Sequence, residues 1–123
     1  MANDIEIKWL PDAEDQDYPA AASYLSLLYD EQSVAEYLDQ LRKTSVSNFK
    51  AKDVFRASGL PLLSISNSHV DHDQKKILAG KPLSPILLVR TPGNLRVIIA
   101  DGYHRMCAVY SIDEDASIPC KIV

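Results

Sequence analysis

The chain has 123 residues, enough for one domain with a real core and too few for two comfortable ones. Hydrophobic residues make up 46%, which excludes a disordered chain, and the net charge of −4 with a pI near 5.2 argues against tight DNA binding, which draws on clustered Lys and Arg. No run is long and apolar enough to span a membrane, and Met1-Ala2-Asn3-Asp4 has neither the basic nor the apolar region of a signal peptide, so a cytoplasmic chain is expected.

Taken in order, Ile5, Ile7 and Trp9 alternate with Glu6, Lys8 and Leu10, a period of two that predicts a short strand. Residues 11–17 read as an acidic loop. Pro19 suits a first helical turn, where its missing N–H costs nothing. Tyr24, Leu25 and Leu28 then share a helical face. Ser33-Val34-Ala35-Glu36 has capping-box spacing, which marks a fresh helix start, and Val34, Tyr37, Leu38 and Leu41 form one apolar stripe behind it. Residues 19–43 are therefore two helices or one with a break. Tyr24, Tyr29 and Tyr37 read as half-buried packing residues. Residues 44–50 form a connector with Phe49 inward.

Ala51 to Ser58 reads as a short helix with Val54 and Phe55 inward and Gly59 as its stop. Lys52 and Arg56 share a face and are read as solvated. Leu62, Leu63 and Ile65 suggest a strand running into a donor-rich loop, Ser66 to His69. Asp71 to Ala79 is a polar helix ending at Gly80. His69 and His72, with Asp71 and Asp73, lack the ligand number and geometry that zinc demands, so no metal site is assigned. Cys107 and Cys120 sit among apolar neighbours without metal-ligand spacing and read as buried thiols of a reducing compartment.

Pro85 to Arg90 and Leu95 to Ala100 are apolar runs joined by the turn cluster Thr91-Pro92-Gly93-Asn94, a hairpin whose strands are covered on both faces. Tyr103 to Tyr110 is a helix, 112–117 an acidic loop, and Ile118 to Val123 a closing strand. Pro119 either demotes that strand to an edge or restricts its start.

The strand at Ile98-Ile99-Ala100 empties straight into Asp101-Gly102-Tyr103-His104-Arg105. Gly102 permits the φ that turns a strand into a helix within one step. The first N–H groups of the new helix then lack intrahelical partners, and its dipole favours anions, so the turn offers a phosphate seat. Arg105 can grip phosphate oxygens with two donors, and His104 can donate to phosphate or move a proton near neutral pH. Asp101 can cap the helix, hold a metal–nucleotide ion or act as a general base. The bland alternative is equally open on these residues: Asp101 an N-cap, Gly102 a turn, His104 and Arg105 surface residues.

From about Leu62 onward the chain resembles the ParB/sulfiredoxin superfamily. The matching order is a polar helix ending in Gly80, Pro85-Ile86-Leu87-Leu88-Val89, a hairpin turn, Val97-Ile98-Ile99, the box Gly102-Tyr103-His104-Arg105 with Ala108, and Ile118-Pro119-Cys120-Lys121-Ile122. ParB N-terminal domains typically carry Gly-Glu-Arg-Arg in the box and sulfiredoxins Gly-Cys-His-Arg. Free serine kinases carry Asp-Gly-His-His-Arg, nearest to Asp101 through Arg105. The resemblance covers about half the chain. It implies an α+β fold, a small mixed sheet with flanking helices over 46–123, to which residues 1–45 add an N-terminal strand and helical extension. It further implies that Gly102, Tyr103, His104 and Arg105 contact a nucleoside di- or triphosphate with Mg²⁺, that Asn67, Ser68 and His69 form a second ligand-facing loop, and that Asp101 and His104 are the catalytic pair. Tyr103 stands where sulfiredoxins need cysteine, which removes sulfinic acid reduction. The helix-turn-helix that follows this domain in partition proteins is not among residues 1–123, so site-specific DNA recognition is not expected.

The leading expectation is thus a nucleotide-phosphate site serving phosphoryl transfer to a small-molecule substrate. The alternatives are a non-catalytic nucleotide-binding regulatory or interaction module, and a ParB-like nuclease or DNA-associated protein using Lys50, Lys52, Arg56, Lys75 and Lys76. Exposed apolar residues on the 19–43 helices would favour a homodimer.

Overall fold

A computed structural model describes residues 5–123. The reading of Met1 to Asp4 lies outside the described residues. The fold is α+β, as expected from the sequence: a four-stranded mixed sheet with helices on both faces. In chain order the elements are α1 (Asp17–Leu25), α2 (Glu31–Lys43), β1 (Ser47–Lys50), α3 (Ala51–Ser58), α4 (Ser68–Leu78), β2 (Ile86–Val89), β3 (Ile98–Asp101), α5 (Tyr103–Ile112) and β4 (Ser117–Ile122). The strand order is β1-β4-β2-β3, with β4 antiparallel to β1 and parallel to β2, and β2 antiparallel to β3.

Strand β2 shows why the sheet needs two helical layers. Every one of its residues is buried, so neither face can meet water. Ile86 and Leu88 pack with Val54 of α3, Val70 and Ile77 of α4, and Met106 and Val109 of α5. Leu87 and Val89 point the other way, into Tyr18, Ala21 and Leu25 of α1 and Val34, Leu38 and Leu41 of α2. The N-terminal helices therefore close the second face of the core.

Several sequence expectations give way to tertiary context. Ile5, Ile7 and Trp9 form no strand; only Trp9 bridges, in parallel, to Leu83. The inward face of α1 is Tyr18-Ala21-Leu25, because the sheet lies on that side, and Tyr24 and Leu28 are exposed together with Leu27. Ser33 does not cap α2. Asp30 does, accepting from the Ser33 N–H at 2.7 Å, so the helix begins before the predicted box. Phe49 belongs to edge strand β1 and is 38% exposed. Leu62, Leu63 and Ile65 lie in an irregular connection, with no neighbouring strand to pair. Helix α4 starts at Ser68, earlier than predicted, because Asn67 caps it by accepting from the N–H groups of His69 and Val70. Strand β4 is interior, so Pro119 does not make it an edge. It limits the ladder instead, since pairing with β2 begins one residue later, at Cys120.

Candidate functional site

The register of β3 sets the geometry of the turn. Leu88 pairs with Ile99 but Leu87 pairs with Asp101, which leaves Ala100 as an extra residue, a bulge. Plain alternation would put Asp101 on the side of Ile99, facing α3, α4 and α5. The bulge sets it opposite Leu87, whose side chain packs against α1 and α2. Asp101 accordingly meets the buried Asp17 in the first turn of α1. Burial pushes the Asp101 carboxyl above its ordinary 3.8; the Arg105 guanidinium opposes this and the Asp17 carboxyl adds to it.

Gly102 follows with φ 108° and stands as the N-cap of α5 without a capping side chain. A Cβ there would lie 2.8 Å from Ile86 Cγ1 and 2.9 Å from Arg105 Nη2, so both the backbone angle and the space exclude a side chain. The close approach sets Arg105 against the turn. Its Nη2 donates to Asp101 Oδ2 at 3.0 Å and to the Pro85 carbonyl at 3.2 Å, and both side chains of the ion pair are 17% exposed. Arg105 Nε is buried with no hydrogen-bond partner among the described residues.

The sequence stretch Asn67-Ser68-His69, 35 residues upstream, comes to the same place. The rings of His69 and His104 lie 4.9 Å apart, so the first turns of α4 and α5 stand side by side. Burial lowers the His104 pKa from 6.5, His69 and Arg105 lower it further, and Asp73 opposes them, so the site disfavours the charged ring. Tyr103 is committed elsewhere: its hydroxyl donates to the Pro61 carbonyl at 2.5 Å and its ring lies 5.5 Å from His104. Ser68 is exposed at the first position of α4. Every residue predicted for the site is thus local to it, although Asp101 is turned toward α1 and not toward the histidines.

Three participants were not read from the sequence. Asp17 could have been suspected only as a first-turn acid, and nothing in the chain announced its meeting with Asp101. The carbonyls of Pro61 and Pro85 are backbone groups, which composition never reveals. Cys107, one turn along α5, is fully buried, and burial raises its thiol pKa, so it is no nucleophile here. Among the described residues no group of three or more His, Cys, Asp or Glu is arranged to hold a metal ion. A magnesium ion entering with a nucleotide would be carried by the phosphates. The residues at the turn suit a phosphate through the start of α5, which no side chain caps, and two imidazoles, while the unused Nε of Arg105 is buried behind them.

No protein-family model, curated protein or solved structure matches the chain.

Proposed function

We propose that the paired starts of α4 and α5 bind the phosphate groups of a nucleotide and that the protein is a nucleotide-responsive binding module of the cytoplasm. The observation that carries this reading is the convergence of His69 and His104 beside the uncapped Gly102 turn, with Arg105 locked in place behind it. Positive helix-end potential and ring N–H donors favour an anion between the two helix starts, and the Arg105 charge behind them adds to that potential. Two free, buried cysteines suit a reducing compartment.

Binding is better supported than phosphoryl transfer because of Asp101. A general base needs a carboxylate within reach of the substrate proton. Asp101 spends its Oδ2 on Arg105 and faces α1, so it acts as a positioning residue for the guanidinium. The resemblance to free serine kinases, carried by Asp101 through Arg105, keeps transfer as the reading that a turnover assay would reinstate.

The test is a thermal-shift panel with ATP, ADP, CTP and GTP, with and without Mg²⁺. Ligand at a hundred times its dissociation constant adds about 2.7 kcal/mol, a plain rise in melting temperature. A rise with one nucleotide, reduced in His104→Gln and in Arg105→Lys and kept in Asp101→Asn, is expected. No rise with any of them would remove the nucleotide reading.

A further inference from the structure

At the opposite end of β3 from the Gly102 turn lies a cleft of about 550 Å³, between α3 and the 91–97 connection. Its floor is the sheet, with Leu88 and Ile122, and its walls include Val54, Val97 and Phe49. Ligand sites of drug-sized molecules span roughly 300–1,000 Å³ and are mostly apolar with a few placed polar groups. This cleft has that character. It also explains Phe49, which an apolar core would have covered and which instead lines an open space.

The mouth is cationic. Arg90 and Arg96 line it, both exposed, and neither has an ion-pair partner among the described residues. Arg96 is placed by the fold: its guanidinium lies flat over Gly59, 2.8 Å from where a Cβ would stand. Asp53 is the acidic group in the lining, and Arg56 already faces it at 4.0 Å. With Asp53 shared with Arg56, the guanidinium groups of Arg90 and Arg96 leave the mouth net positive. An occupant with an apolar body for the floor and a negatively charged head for the rim therefore fits the cleft.

We propose that this cleft binds a small amphiphilic monocarboxylate, a free molecule with a medium-length alkyl or aryl body and one carboxylate head. The body displaces water from Leu88, Ile122 and Val54, which is the favourable term. The head meets Arg90 or Arg96, whose planar fork matches a carboxylate. The site is separate from the α4/α5 helix starts and stands or falls without them.

Decanoate is the probe, titrated into the full chain by calorimetry below its micellar concentration, with decanol and decylamine as neutral and cationic counterparts. Saturable one-to-one binding of decanoate is expected. Ala57→Trp, on the exposed side of α3 where it lines the cleft, should abolish that binding while leaving the melting temperature within a few degrees. Arg90→Gln with Arg96→Gln should weaken decanoate roughly tenfold or more and leave decanol unchanged, as loss of a charge-assisted contact would. Failure of decanoate to saturate the wild type overturns the proposal, as does binding that survives Ala57→Trp. Equal binding of all three probes, untouched by the arginine changes, overturns the carboxylate assignment. His104→Gln, which weakens the nucleotide site, should leave decanoate binding intact.

Discussion

At the scale of single residues, the turn after β3 holds three interlocked requirements. Gly102 has a positive φ and no room for a Cβ, so Gly102→Ala is expected to cost at least about 1 kcal/mol and to displace Arg105, seen as a lower urea midpoint and weaker nucleotide binding together. Asp101 carries a pH signature. Its folded pKa lies above the ordinary 3.8, so the fold prefers the protonated acid. The stability this contributes is full below pH 3.8 and is lost as pH rises through the raised value. The urea midpoint of the wild type, compared with Asp101→Asn, should therefore fall as pH climbs from 3.8 toward neutrality. A flat difference would remove burial as the dominant influence on this carboxyl. His104 has the opposite sense: its folded pKa is depressed, so its contribution is present above pH 6.5 and lost on acidification. A phosphate bound beside it favours the charged ring, so its NMR titration midpoint should move upward when nucleotide is added.

At the scale of elements, caps decide where the site falls. Asn67 fixes the first residue of α4 and thereby brings His69 to the face of His104. Asn67→Ala is expected to lose about 1 kcal/mol of stability in denaturant unfolding and to weaken anion binding more than that loss accounts for, because the start of α4 frays. If stability falls and binding does not, the start of α4 is no part of the site. The bulge at Ala100 is the second device at this scale. Without it Asp101 would share the face of Ile99, toward α3, α4 and α5. Ala100 and Asp101 look like an unbroken strand end in the sequence, since a bulge is set by the hydrogen-bonding partner.

At the scale of the whole molecule, one buried cation ties the N-terminal region to the sheet. Lys121 of β4 is 1% exposed, and its Nζ donates to Tyr18 Oη at 3.0 Å and to the Arg42 carbonyl at 3.2 Å and pairs with Asp12 at 3.1 Å. A single side chain thus holds the acidic loop, α1 and the end of α2 on β4. Burial alone would lower its pKa, but its hydrogen bonds to Tyr18 and Asp12 and the Asp12 charge outweigh that, and the value stands above 10.5. The stability it contributes is present below pH 10.5 and is lost as pH rises through the raised value. Lys121→Ala is expected to cost about 2 kcal/mol or more, mostly from the cavity left by its stem, whereas Lys121→Met should stay within roughly 1.5 kcal/mol and lose the alkaline sensitivity. If methionine is as damaging as alanine, the charge and not the volume is what β4 requires.

The amino-acid sequence by itself determined helices α2, α3 and α5, the fully covered strand β2, and the glycine at the α5 start, while the α+β class came from the family resemblance. These depend on neighbours a few residues apart: apolar spacing of 3.6, runs of β-branched and aliphatic residues, and a backbone angle that glycine alone adopts cheaply. Only the tertiary structure decided that Pro119 lies in an interior strand, that residues 60–65 stay irregular, and that α1 turns Tyr18 and Ala21 inward and leaves Tyr24 out. It alone brought Asp17 to Asp101, His69 to His104 and Asp12 to Lys121. The physical reason is common to all of these. Side-chain direction in a strand reverses with a one-residue shift of register, and a helix buries whichever face the sheet happens to meet. Both are settled by pairing between segments far apart in the chain, where local periodicity carries no information.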